Sequence, residues 1–124
     1  MKLRTSKTEI WINISYNGAE AKFLVSPATP KEDADILNHC YVTKWERNQR
    51  FTEPDIYLFK ISKIDKVIID WQGVEDDDGQ PIDCTRKNKE LVYLFNSELI
   101  DMVLDEATKI SEDMAKQQEL ERKN

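Results

Sequence analysis

The 124 residues carry 18 Lys and Arg against 24 Asp and Glu, a formal net charge of -6, and 40% are hydrophobic. That length and apolar content support one modest core and a single domain over residues 1–124, with frayed ends near 1–8 and 112–124. The acidic balance argues against a nucleic-acid binder, which needs a basic patch to displace counterions from phosphates, and no run approaches the ~20 apolar residues of a membrane span.

The opening "MKLRTSKTEIWINIS" is polar for nine residues and has no apolar signal-peptide segment. The expectation is a soluble cytoplasmic protein with reduced thiols. "TEIWINIS" then alternates Ile10, Ile12 and Ile14 on one face with Trp11, Asn13 and Ser15 on the other. Asn17-Gly18 supplies the positive-φ pair of a tight hairpin turn, and "EAKFLVS" returns as the second strand. Trp11 faces away from the isoleucines, which makes it a candidate interface anchor as well as a sheet-face residue.

In "PATPKEDADILNHCY" a short helix is expected, with Thr29 as N-cap, Pro30 first in the helix and Glu32 completing a capping box. Ile36 and Leu37 would face the core. Two further strands are expected near 41–47 and 55–61, where Tyr41, Thr43 and Trp45, then Tyr57, Phe59 and Ile61, alternate around a polar "ERNQ" loop and Pro54. "KISKIDKVIIDW" fits both periods: Ile61, Ile64, Ile68 and Trp71 match a helix, whereas Val67, Ile69 and Trp71 match a strand. The β-branched run from Val67 to Ile69 favours the strand.

"DWQGVEDDDGQPIDCT" packs three consecutive acids against a glycine. Setting Gly79 sixth in a calcium-binding EF-hand loop puts Val74 first and Thr85 twelfth, so the first carboxylate and the bidentate glutamate are both missing. A tight turn accounts better for the pattern, because Asp bonds its own backbone and Gly supplies φ > 0. Thr85 then caps a helix through "RKNKELVYLFN" with Leu91, Leu94 and Phe95 inward, and Ser97 caps a longer one. In this last helix Leu99, Ile100, Val103, Leu104, Ala107 and Ile110 form an apolar stripe, after which Met114 and Leu120 stand among charges.

The whole reads as an α+β fold: an N-terminal antiparallel sheet of about four strands with a short inserted helix, followed by two C-terminal helices. Catalytic sets are sparse. His39 is the only histidine and is adjacent to Cys40, and no GxSxG elbow or phosphate-cradling glycine loop is present. A zinc site needs about four ligands, and beyond Cys40, Cys84 and His39 the chain has no Cys or His. No enzyme activity, metal or cofactor is expected.

The run from Phe59 to Ala107 has an apolar segment, D-W-x-G-V, an acidic turn ending in D-G-x-P, then C-T and a final amphipathic helix. It resembles small tailed-phage and prophage proteins of the tail-assembly accessory kind, including tail assembly chaperones. The resemblance implies a non-enzymatic factor in the host cytoplasm, or in the virion, that binds tape-measure or tail-tube subunits, with no nucleic acid or membrane as partner. Trp11, Val103, Leu104, Ile110, Met114 and Leu120 are the candidate interaction residues. Two alternatives stay open: a structural tail or head-completion subunit, and an acidic regulatory protein that mimics nucleic acid.

Overall fold

A computed structural model describes the backbone of residues 1–123 and the side chains of residues 1–116. Strands β1 (Ile10–Tyr16) and β2 (Ala19–Val25) pair antiparallel about the Asn17-Gly18 turn, whose φ angles of 51° and 80° are those a two-residue hairpin loop requires. Helix α1 (Pro30–Asn38) starts as the capping box anticipated: Thr29 accepts from the Glu32 N–H and Glu32 from the Thr29 N–H. It lies on the surface. Ile36 is only half-buried and Leu37 is exposed, so the inward placement expected for them is corrected.

The largest departure from the expected strands is at residues 55–61. Strand β3 (Tyr41–Glu46) returns at once as β4 (Gln49–Pro54), through a two-residue turn in which Arg47 and Asn48 hold φ of 53° and 63°. The chain then enters helix α2 (Ile56–Val67), with Asp55 as N-cap accepting from the Leu58 N–H at 3.0 Å. The alternation of Tyr57, Phe59 and Ile61 is incidental; Ile61, Ile64 and Val67 are the buried residues, at helical spacing. β3 and β4 form a sheet of their own, separate from the three-stranded one.

That three-stranded sheet has the order β1-β2-β5 and is completed by β5 (Ile68–Gln72), antiparallel to β2. Leu24 pairs with Asp70 but Val25 with Ile68, leaving Ile69 as the extra residue of a bulge. The bulge reverses the alternation, so Ile68 and Trp71 both point inward while Ile69 is exposed. Helix α3 (Arg86–Phe95) follows its Thr85 cap, and helix α4 (Ser97–Lys123) runs on from it.

The core lies between one face of this sheet and helices α2, α3 and α4. Ile14, Phe23, Val25, Ile68 and Trp71 meet Ile61, Ile64, Val92, Ile100, Val103 and Ala107. Phe23 and Trp71 pack edge to face with centroids 6.3 Å apart. Lys89 is also buried, and its ammonium donates to the Asp65 carboxylate at 3.0 Å and to the Asp65 carbonyl at 3.2 Å. This pair ties α3 to α2, with Arg86 3.6 Å from the other Asp65 oxygen. Among the described residues, no helix is long and apolar enough to cross a membrane.

The acidic stretch is a turn with its backbone satisfied. One oxygen of the Asp76 carboxylate accepts from the N–H groups of Asp78 and Gln80, both at 2.9 Å, and Gly79 holds φ of 78°. Glu75 and Pro81 bridge its base.

Candidate interaction surface

The residues singled out in the sequence do not form one surface. Val103 is fully buried, and Leu104 and Ile110 are half-buried against the same core, so the stripe of α4 faces the interior. Met114 is half-buried, with Arg4 of the N-terminal segment donating to its sulfur. The Leu120 side chain lies outside the described residues. Trp11 stands on the sheet face opposite the core, 43% exposed, in a row with Leu24 and Asp70.

A second surface is built from residues not anticipated as contacts. The β3–β4 hairpin is an arm whose side chains are almost all exposed; only Val42 and Glu53, near its base, are half-buried. Its root is fixed by the buried Cys40, whose carbonyl accepts from the Asp55 N–H. Six residues per strand give the arm a reach of about 20 Å. On one face Tyr41, Thr43 and Trp45 lie opposite Pro54, Thr52 and Arg50. Lys44 and Glu53 form an ion pair on the other face, and that hydrogen bond pushes the lysine pKa above its ordinary value.

At the root of the arm, α2 begins, and α3 packs against it. Tyr57 donates to Glu90 at 2.8 Å, and Lys89 and Arg86 meet Asp65 further along, so the two helices run antiparallel. Ile56 and the α3 terminus therefore occupy the same end of the pair. There Ile56 is 71% exposed, Leu94 52% and Phe95 81%, with Tyr57 and Leu91 also exposed. Leu91, Leu94 and Phe95 were expected inward; the correction follows from the face of α3 that is buried, which carries Lys89 and Val92. Phe95 also directly precedes the Asn96 C-cap, where the helix ends. Trp45 at the arm tip is 71% exposed.

A shallow hollow of about 480 Å³ runs between the arm root and Ile56, lined by Val42, Lys44, Glu53, Pro54 and Asp55 among others. Glu90 lies one turn before Leu94 on α3, and Glu98 and Asp101 open α4, Asp101 pairing with Lys60 at 3.0 Å. Leu91, Leu94 and Phe95 share the outer face of α3 at i, i+3 and i+4, and contiguous exposed apolar side chains mark contact surfaces more often than scattered ones do.

The nucleophilic side chains are placed differently. The Cys40 thiol is 4.0 Å from the Ser62 hydroxyl, to which Arg86 donates at 3.2 Å. The exposed His39 ring donates from Nδ1 to the Asp35 carbonyl at 2.7 Å. Burial pushes the Cys84 thiol up to about 11, the nearby Lys89 opposing and Asp70 and Asp65 adding to the rise.

A family model described as YdaY prophage protein matches residues 60–124, just over half of the chain. The chain belongs to the YdaY prophage protein family. The YdaY match begins one residue after the start of the Phe59–Ala107 run and covers most of α2, then β5, the acidic turn, α3 and α4. Leu94 and Phe95 lie within the YdaY segment, whereas Trp11, Ile56 and the arm lie before it. No curated protein and no solved structure matches the chain.

Proposed function

We propose that this prophage protein is a non-enzymatic morphogenesis factor that binds other tail proteins, tape-measure or tail-tube subunits, in the manner of a tail assembly chaperone. The observation that carries the reading is the row of exposed apolar side chains on the outer face of α3, Leu91, Leu94 and Phe95, together with an arm whose Trp45 stands exposed near its tip. Large apolar side chains left in water at one place lose the transfer free energy that burial returns, roughly 1.5–3 kcal/mol for each one fully covered. An amphipathic helix laid along Leu91, Leu94 and Phe95 would cover them through anchors at helical spacing. Membership of a prophage family and the resemblance of residues 59–107 to tail-assembly proteins support the choice of partner.

Co-expression with the neighbouring tail genes, followed by pull-down, tests the reading. Retention of a tail-tube or tape-measure protein is the expected result. A chain that retains none but copurifies with assembled particles is instead a structural subunit of the virion. A chain found in neither place has no role in the tail.

A further inference from the structure

We propose that the hollow bounded by residues 4–8, the start of α1 and Ser111 of α4 binds the phosphate group of a small phosphate monoester. None of the residues that line it belongs to α3 or to the arm. The site is therefore separate from the surface assigned to the tail partner and does not depend on it.

The first argument is the composition of the wall. The hollow has a volume of about 400 Å³ and is lined by Arg4, Lys7, five hydroxyl side chains and two prolines. No carboxylate lines it, in a chain that carries 24 Asp and Glu against 18 Lys and Arg. Every polar side chain of the wall can donate a hydrogen bond, so the ligand that suits it is rich in acceptor oxygens. Charges more than about 8 Å away are largely screened at physiological ionic strength. The hollow thus answers to its own cations rather than to the net charge of -6.

The second argument is where the charges stand. Arg4 donates to the Thr8 hydroxyl at 3.3 Å and to the sulfur of Met114, three residues beyond Ser111, so its guanidinium lies on the α4 side. Lys7 Nζ lies 3.0 Å from a Glu32 oxygen that also accepts from the Thr29 N–H, which puts the ammonium at the start of α1. Glu32 does not neutralise this end, because Lys66 reaches its other oxygen at 3.3 Å and leaves two ammoniums on one carboxylate. With Arg4, three cations face a single carboxylate. The excess matches a phosphate monoester, which carries about -1.5 to -2 at pH 7.

The third argument is what Arg4 lacks. A guanidinium has five N–H donors and a thioether is a weak acceptor, yet among the described residues Arg4 meets one hydroxyl and one thioether and forms no ion pair. Phosphate oxygens supply the planar, bidentate partner that its fork fits. A carboxylate ligand has two oxygens and one charge, too few for this wall. A nucleic-acid strand brings one charge per phosphate and a run of further phosphates toward an acidic body, so a single terminal phosphate is the better match.

Amide chemical shifts of the isotope-labelled full chain, titrated at constant ionic strength with glycerol phosphate, inorganic phosphate and octathymidylate, test the inference. Glycerol phosphate is expected to shift the amides of residues 4–8, Thr29 and Ser111 saturably, with a dissociation constant of about 1 mM or below. In R4Q/K7Q that constant should rise about tenfold or more. In K22Q/K87Q, which removes two exposed cations that do not line the hollow, it should stay within about twofold. Arg4 and Lys7 lie outside the helices and strands, and unchanged far-UV circular dichroism establishes that both variants are folded. No saturable shift with glycerol phosphate, equal binding by R4Q/K7Q, or an equal loss in K22Q/K87Q would each overturn the inference. Tighter binding of inorganic phosphate or of octathymidylate than of glycerol phosphate would overturn it too, in favour of the free ion or of a nucleic-acid strand.

Discussion

The indole N–H of Trp71 donates to the carbonyl of Ile82 across 2.8 Å, so the last strand of the sheet holds the far side of the acidic turn. The same ring packs edge to face on Phe23 in the core. Replacing Trp71 by Phe keeps most of the packing and removes the hydrogen bond, at an expected cost of about 1 kcal/mol. Replacement by Ala opens a cavity and should cost about 3–5 kcal/mol. Chemical denaturation measures both, and hydrogen exchange should quicken over residues 74–82 in the Phe variant, where the turn loses its tether.

Glu32 sets a pH dependence. Burial alone would raise its carboxyl pKa, but hydrogen bonds from Lys7, the Thr29 N–H and Lys66, with the Lys7 charge, outweigh burial and lower it from 4.5 to about 2. Because the folded value lies below the unfolded one, the stabilisation is complete above about pH 4.5 and is lost as pH falls toward 2. Urea titrations from pH 6 to pH 2 should therefore show wild type and Glu32→Gln converging at the acid end. A constant gap between them would contradict the assignment.

Val103 and Phe95 separate core from contact surface. Val103 is fully buried, and Val103→Ala should destabilise the fold by about 1–3 kcal/mol. Phe95 is 81% exposed, and Phe95→Ser should change stability by no more than about 0.5 kcal/mol. Thermal melts of the two variants decide the point.

Calcium should leave the acidic turn unchanged. Asp76 has one carboxylate oxygen committed to two backbone N–H groups, and the turn is complete without an ion. Millimolar calcium is expected to shift neither the melting temperature nor the amide resonances of residues 74–80, since a ligand of the native state would raise stability through linkage. A saturable shift at Asp77 or Asp78 would show a site there.

Much of the fold was legible where local chemistry specifies it. Asn17-Gly18 announces a hairpin, Thr29-Pro30 with Glu32 a helix start and Thr85 another, and each stands where it was expected. Residues 55–61 misled because Tyr57, Phe59 and Ile61 alternate by chance, and the better signal was Asp55 after Pro54, an N-cap ahead of Ile61, Ile64 and Val67 at helical spacing. The β5 bulge was hidden for a related reason: Ile68 and Trp71 are three residues apart, a spacing that fits a helix unless one residue is extruded. The exposed face of α3 was the least visible. Leu91, Leu94 and Phe95 recur at helical spacing as core residues do, but α3 buries the face that carries Lys89, held by Asp65, and Val92, which leaves them outside.

The most direct test of the central claim compares capture of co-expressed tail proteins by the wild type and by a Trp45→Ala/Phe95→Asp variant. Both side chains are exposed, so the variant should fold as the wild type does by circular dichroism. The account predicts that the wild type retains a tail-tube or tape-measure protein and that the variant loses it. Equal retention by both, with the fold intact, would contradict the claim that these exposed side chains make the contact.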